Sequence, residues 1–400
     1  MKRSRLRQGA ALLLCALVVL LSGCERLYIG SYISVTDHEE LQLSTGYDER
    51  YYEVHTYAGI RNALLELISD GSEEGVIRTQ DYEGSVQDDV ARICLDVTRE
   101  SAIGSYTVEY ITHSVSRILS YYEIRFHISY RMGTAERIGV RNTVTLTELY
   151  RLVEGSLCNR QEKLAVQIAT LAVTEQTLAD YVESFYQRNP DLLSDRPMVT
   201  VSFYPSEEHV SKIVELSFTY PRQREEETER LKLLNTAAAE IVKTWPNRST
   251  PEYALLCCRV LAELATVQAS GNTAYDALVA HHADPEGFAM AYQLLCSRLG
   301  VECQVVEGKK NGQNHYWNIL QFGQDHYHVD CSASGGEELY FLLPDDALIG
   351  EYWWDVDRYP QCQGPLSAQQ IVELCDGPDE TAEILPERET GKALQLPGNP

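Results

Sequence analysis

The segment DPEGFAMAYQLLCSRLG, residues 284–300, decides the fold of the region around it. Asp284 suits the N-cap of a helix, Pro285 suits its first position, and Glu286 complements the positive end of the helix dipole. The apolar residues that follow predict a helix from about Asp284 to Leu299. Alternating runs beyond this helix predict strands near Cys303–Glu307, His315–Phe322 and His326–Asp330.

Further helices are predicted on both sides of this segment. The charged run Arg222–Glu227 forms a hinge into a helix from about Thr228 to Thr244, and another helix is predicted around Pro251–Gln268. A C-terminal helix is expected over Ser367–Cys375. Residues 376–400, rich in Pro, Glu, Gly and Asp, predict a disordered tail. We therefore place one domain at 225–375.

The region before this domain contains a repeat. Residues 124–130 alternate apolar and polar side chains, and residues 214–220 do so again at an offset of 90, as expected for half-buried strands. Matching apolar helices are predicted at residues 60–68 and 86–97 in the first copy and at 146–153 and 178–185 in the second. The pattern predicts two tandem βαβαββ modules of α+β class, at 51–135 and 136–224.

The N-terminus predicts export. Basic residues 2–7 precede the apolar stretch Ala10–Leu21, which is too short for a membrane-spanning helix and typical of a secretory signal. The following Leu21-Ser22-Gly23-Cys24 resembles the lipobox of bacterial lipoproteins. The resemblance implies a signal peptide at 1–23, lipidation of Cys24 by palmitate-like acyl chains, and an extracytoplasmic protein anchored to the cell membrane. We expect residues 24–50 to be a polar linker.

Composition limits the classes of partner. The formal charge is −25, from 34 basic and 59 acidic residues, so the field of the protein repels nucleic acid and anionic lipid surfaces. Nine cysteines remain after Cys15 and Cys24, an odd number without a C-x-x-C pair, so at least one thiol is unpaired. Cys296 and Cys303 could pair or stay free. We predict no particular disulfide.

The C-terminal domain resembles the transglutaminase-like superfamily. The matching segments are Asn272–Leu278, Glu286–Ala289, Leu294–Cys296, Leu299–Val301, His315–Asn318, His326–Asp330, Gly350–Asp355 and Tyr359–Pro360. The resemblance implies a papain-like fold in which a Cys, a His and an Asp perform acyl transfer. His315 matches the family His and Asp330 the family Asp, but Pro285 occupies the position of the Cys nucleophile. The resemblance therefore implies a catalytically inactive domain in which His315 and Asp330 remain from the catalytic residues.

Other site assignments follow from the same resemblance. We expect Glu286, Trp317 and Asn318 to line a binding cleft, and we expect no cofactor. An active cysteine protease, amidase or acyltransferase with a different nucleophile is the alternative, although Cys257, Cys258 and Cys296 do not lie at the required helix end.

A metal site is a separate alternative. His326, His328 and Asp330 alternate in one predicted strand and so share a face, which His281, His282 and His315 could approach. Imidazoles and a carboxylate suit Zn²⁺. Because the superfamily resemblance already accounts for the strand, we predict no metal.

The sequence predicts a lipid-anchored cell-surface protein with a pseudoenzyme domain that binds or scaffolds peptide, envelope or protein partners. A solute-binding lipoprotein is a third class, but such chains form two hinged lobes and the repeat here is too small. Ligand and oligomeric state stay open.

Overall fold

The computed structural model describes residues 41–45, 50–133, 139–205, 210–245, 247–335 and 338–376. It is a mixed α+β structure with several sheets, and its contacts divide the chain into two compact units between residues 137 and 138. The expected signal peptide, Cys24 and the tail beyond residue 376 lie outside the described residues. None of the helices in the described ranges is both long and apolar enough to cross a membrane.

In its described residues, the first unit comprises a five-stranded sheet and three helices. Its elements are β1 (Gln42–Thr45), β2 (Arg50–Glu53), α1 (Tyr57–Ser69), β3 (Glu74–Thr79), α2 (Val86–Glu100), α3 (Ala102–Thr107), β4 (Val108–Ile118) and β5 (Tyr121–Tyr130). The strand order is β1-β2-β3-β5-β4, and among the described strands of this sheet only β2 and β3 pair in parallel. The apolar faces of α1 and α2 meet the inward residues of β3 and β5 in one core.

One difference from the sequence prediction lies at the start of this unit. Residues 42–45, expected in the polar linker, form β1 and pair antiparallel with β2. The four residues are too few for periodicity to distinguish a strand from a linker, and pairing with a neighbouring strand edge decides the outcome.

The second unit begins with another sheet and two helices. These elements are β6 (Arg141–Thr143), α4 (Leu146–Cys158), β7 (Lys163–Ala169), α5 (Glu175–Arg188), β8 (Met198–Tyr204) and β9 (Ser211–Thr219). Their sheet has the order β6-β7-β9-β8, with β6 and β7 parallel and the other pairs antiparallel. This order and these directions correspond strand for strand to β2-β3-β5-β4 in the first unit.

The remainder of the second unit is built around a buried helix and a four-stranded antiparallel sheet. The elements are α6 (Arg224–Val242), α7 (Thr250–Leu264), β10 (Thr266–Val267), α8 (Ala274–Leu278), β11 (His282–Ala283), α9 (Pro285–Arg298), β12 (Glu302–Lys310), β13 (Gln313–Phe322), β14 (Asp325–Val329), α10 (Asp345–Leu348), β15 (Tyr352–Trp354) and α11 (Ala368–Asp376). The sheet order is β14-β13-β12-β15. Residues Glu286 to Cys296 of α9 are all buried, so this helix is the centre of the region.

The helix predicted over Pro251–Gln268 is shorter than expected. It ends at Leu264, and Thr266–Val267 instead pair in parallel with His282–Ala283. The two β-branched residues favour extended backbone, and the distant strand supplies their hydrogen bonds.

A single hydrophobic core joins the second sheet to the helices that follow it. Leu149 of α4, Leu216 of β9, Leu234 of α6 and Tyr292 of α9 are all fully buried members of it. Across the expected domain border at 224/225, Glu227 accepts hydrogen bonds from the backbone N–H and the hydroxyl of Ser194, at 2.7 and 2.8 Å. The two expected domains therefore form one packed body.

Candidate functional site

His315 and Asp330 form a buried pair at one end of the four-stranded sheet. Nε2 of His315 donates to Oδ2 of Asp330 at 2.6 Å, and Asp330 is only 3% exposed. The same carboxylate accepts from the hydroxyls of Tyr352 at 2.8 Å and Ser332 at 2.7 Å, and from the backbone N–H of Ala333 at 3.0 Å. Both oxygens are thus occupied by hydrogen-bond donors.

The electrostatics of Asp330 favour its charged form. Burial alone would raise the pKa of Asp330, but hydrogen bonds from His315, Ser332 and Tyr352 outweigh burial and lower it below its ordinary value. Nζ of Lys310 lies 3.9 Å from Oδ2 and 4.8 Å from the ring of Tyr352. The carboxylate is an ion held by a complete set of donors.

Aromatic rings enclose the imidazole of His315. The ring stacks on Trp317 with centroids 6.1 Å apart and meets Tyr352 edge-on at 5.8 Å. Trp317 is 1% exposed and packs edge-on against Trp354 at 6.0 Å. The pair is therefore part of a packed aromatic cluster.

The alternation of β13 places this cluster and helix α9 against opposite faces of the sheet. Trp317 joins the aromatic cluster, whereas Asn318, the next residue, is fully buried and its Nδ2 donates to the carbonyl of Ala289 in α9 at 3.0 Å. Since residues i and i+2 share a face, His315 lies on the Trp317 side.

The N-terminus of α9 is capped and closely packed. Oδ1 of Asp284 accepts from the backbone N–H of Gly287 at 3.0 Å, and Pro285 is the first helical residue, as the sequence predicted. A Cβ at Gly287 would lie 2.5 Å from the carbonyl oxygen of Gly271, so only glycine fits here. The side chain of Pro285 is a pyrrolidine ring, which has no group able to attack a carbonyl.

Glu286, in the first turn, is covered by the preceding module. Its carboxylate forms an ion pair with Arg196, whose Nε also lies 3.0 Å from the carboxylate of Glu183 in α5. Nδ2 of Asn272 lies 3.4 Å from the other carboxylate oxygen. Burial raises the pKa of Glu286 to about 7, although Arg196 acts in the opposite direction. Arg196 thus ties the preceding module to the first turn of α9.

The native thiols near α9 are inaccessible. Cys257, Cys258 and Cys296 are each 0% exposed. Burial, with a hydrogen bond to Cys296, raises the pKa of Cys257. For Cys296 burial opposes ionisation, but hydrogen bonds from Cys257 and Cys303 lower its pKa on balance. Such a thiol still cannot meet a substrate without opening the core, so the alternative nucleophiles gain no support.

The residues considered as metal ligands in the sequence have different hydrogen-bond partners in the structure. Asp330 is engaged by His315, whereas His328 pairs with Asp345, and His282 contacts the carbonyl of Ala280 through Nδ1 at 2.9 Å. In the described ranges the group compatible with a metal is instead His328, Asp345 and Cys362, whose ligand atoms lie within 4.8 Å of one another.

The hydrogen bonds of His328 argue against a metal at this second group. Nε1 of Trp317, a donor only, donates to Nδ1 of His328 at 3.0 Å, so the imidazole proton resides on Nε2 and is donated to Asp345 at 2.9 Å. Because Nδ1 accepts this hydrogen bond and carries no proton, a metal on Nε2 would require His328 to be a doubly deprotonated imidazolate. A histidine that binds a metal through one ring nitrogen normally donates a proton from the other. Burial also raises the pKa of Cys362 well above its ordinary value. We interpret the group as a buried hydrogen-bond chain.

The sequence located the central pair but not its surroundings. The three residues expected to line a cleft, Glu286, Trp317 and Asn318, are 6%, 1% and 0% exposed, so none is open to a ligand in this structure. Tyr352 lies within a segment that carried the superfamily resemblance and could have been suspected. Arg196 gave no sequence signal, because its partner Glu286 lies 90 positions away.

Comparisons with known proteins give weak structural likenesses. No protein-family model matches the sequence, and no curated protein matches it. A solved TGase is 12% identical with a TM-score of 0.26, over 53% of this chain and 63% of its own, less than two thirds of its length. A candidate cysteine protease from Cytophaga hutchinsonii is 10% identical with a TM-score of 0.23, over 38% of this chain and 68% of its own. A candidate protease from Parabacteroides distasonis is 9% identical with a TM-score of 0.21, over 55% of this chain and 48% of its own.

Proposed function

We propose that this chain is an exported bacterial lipoprotein whose transglutaminase-like domain, with a papain-like fold, is catalytically inactive and binds or scaffolds an extracytoplasmic partner. The observation that carries the proposal is the start of α9. Pro285 stands where a nucleophile would be needed, and the adjacent Glu286 is buried in an ion pair with Arg196. The His315–Asp330 pair then serves the stability of the sheet.

The proposal includes the modules at 51–135 and 136–224 as tandem copies. Four strands of each sheet have the same order and pairing directions, and α1 and α2 occupy places along the chain that correspond to those of α4 and α5, whereas β1 and α3 have no counterpart among the described residues of the second module. The second copy has acquired a further task, because its Arg196 and Glu183 cover the first turn of α9.

The catalytic part of the proposal is tested by turnover. The purified protein should show no thiol-dependent amidase, protease or transglutaminase activity, because a His–Asp pair without a nucleophile forms no acyl intermediate. Pro285→Cys should remain inactive, since Asp284 and Glu286 disfavour a thiolate and His315 is packed among aromatic rings.

The exposed native Cys158 provides an internal reference for alkylation in this experiment. The new thiol at position 285, which is only half-buried, should react with iodoacetamide far sooner than the buried cysteines. Turnover by the unmodified protein that is lost on replacing Cys257, Cys258 or Cys296 would refute the inactive assignment.

The anchoring part is tested at Cys24. Cys24→Ala removes the sulfur that would be acylated, so incorporation of a labelled fatty acid should disappear and the precursor should keep its signal peptide. Cys15→Ala, within the apolar stretch, is the matched control and should be labelled normally. Unchanged labelling of the Cys24→Ala protein would exclude the lipoprotein assignment.

A further inference from the structure

A pocket of about 270 Å³ lies at the sheet end formed by β12, the start of β13 and β15. Its lining includes Glu307, Gly308 and Lys309 of β12, Asn314 of β13 and Trp353 of β15. The volume is slightly below the range of pockets that hold drug-sized ligands, so it suits one small cyclic unit of a longer molecule. None of these residues belongs to the His315–Asp330 pair.

Trp353 is the aromatic wall of this pocket. Its neighbours Tyr352 and Trp354 point into the aromatic cluster and are 6% and 9% exposed, so alternation turns Trp353 to the other face, where it is 64% exposed. A Cβ at Gly308 would collide with the carbonyl oxygen of Trp353 and the ring of Trp317, so the backbones approach closely here. The indole is therefore presented on a rigid strand.

The polar lining is balanced in charge. The hydroxyl of Tyr359 accepts from the backbone N–H of Glu307 at 3.0 Å, and Arg358 lies 5.5 Å over the ring of Tyr359 with Nη1 3.9 Å from Glu307. Glu307 and Asp355 are matched by Lys309 and Arg358. In a chain with a formal charge of −25, this pocket has no excess of either sign.

The combination points to a neutral, hydroxyl-rich ring. The C–H groups on one face of a pyranose stack on an indole, while its hydroxyls donate to carboxylates and accept from ammonium, guanidinium and amide groups. We propose that this pocket binds one sugar unit of an extracytoplasmic glycan, with Trp353 as the stacking platform. The inference rests on the proposed binding function and specifies its ligand class.

The test measures binding of neutral oligosaccharides to the full-length protein in detergent. Titration calorimetry with chitohexaose, cellohexaose and a β-1,3-glucan hexaose should show saturable binding of at least one of them. Trp353→Ala should weaken that binding at least tenfold, and Asn314→Ala severalfold. Ile349→Ala, an exposed apolar residue of the same region outside the pocket, is the matched control and should bind normally.

Salt separates a sugar from a charged ligand. Raising the salt concentration from 50 to 500 mM should change the dissociation constant less than twofold, because screening acts on ionic contacts. No binding of any of the three sugars, or binding indifferent to Trp353→Ala, would overturn the inference. Salt-sensitive binding of peptides through Trp353 would also overturn the inference, but it would leave the proposed binding function intact. Thiol-dependent turnover by the protein would instead refute the proposed function itself.

Discussion

Trp317→Ala should lower the free energy of unfolding by about 3–5 kcal/mol, as expected for a buried Trp truncated in a packed core. Trp317 is 1% exposed, contacts the rings of His315, Tyr352 and Trp354, and donates a hydrogen bond to His328. Its loss creates a cavity and leaves Nδ1 of His328 without a donor. Since small proteins are stable by roughly 5–15 kcal/mol, the loss is a large fraction of the total.

Urea unfolding at neutral pH measures this effect. Trp353→Ala is the matched control on the same sheet, and because Trp353 is 64% exposed its replacement should cost no more than about 0.5 kcal/mol. Trp317→Phe keeps most of the packing and should cost about 1–3 kcal/mol through the unpaired imidazole nitrogen. Equal costs for the Trp317→Ala and Trp353→Ala proteins would contradict the aromatic core described above.

Asp330→Asn should destabilise the protein by roughly 3–5 kcal/mol at pH 7, the cost typical of breaking a buried charged pair. The substitution removes the negative charge that satisfies His315, Tyr352 and Ser332 and that faces Lys310 at 3.9 Å. Asp325 is an exposed carboxylate at the start of β14, the strand that ends immediately before Asp330, so Asp325→Asn is the control and should be close to neutral.

The pH dependence of this effect has a definite sign. The hydrogen bonds lower the pKa of Asp330 in the folded protein, so its contribution to stability is complete above the unfolded value of about 3.9 and is lost as pH falls toward the folded value. The difference between native protein and Asp330→Asn should therefore be greatest at neutral pH and shrink below about pH 4. A difference that grows on acidification would contradict the assigned direction.

Local pattern was sufficient for much of the fold. Asp284, Pro285 and Glu286 predicted the first turn of α9. Alternation of apolar and polar residues predicted β5 and β9, which are corresponding strands of two different sheets. These features are encoded within a few residues of one another. The assignment of His315 and Asp330 came instead from the superfamily resemblance, and the antiparallel pairing of β13 with β14 accounts for their proximity.

The parts that pattern could not supply are contacts between distant segments. Arg196 and Glu286 meet only after the second sheet has packed on α9, and nothing adjacent to either residue indicates its partner. Similarly, alternation suggested that His328 could join His326 and Asp330 as a metal ligand, but in the structure His328 pairs with Asp345. Tertiary contacts, rather than the period of the strand, decide which polar groups pair. The exposed fraction of Trp317 and Asn318 was unpredictable for the same reason.

The core shared by the second sheet and the helices after it has a consequence for how this protein could have evolved. A module that merely follows another along a chain can be lost or exchanged by recombination at the linker between them. Here an exchange at residue 224 would separate Glu227 from its hydrogen-bond partner Ser194 and would divide the core that Leu216 of β9 shares with Leu234 of α6. The residues of the second sheet, α4 and α5 that enter this core are therefore constrained to change in step with those of α9, and the segment from β6 to α9 would be inherited as one unit.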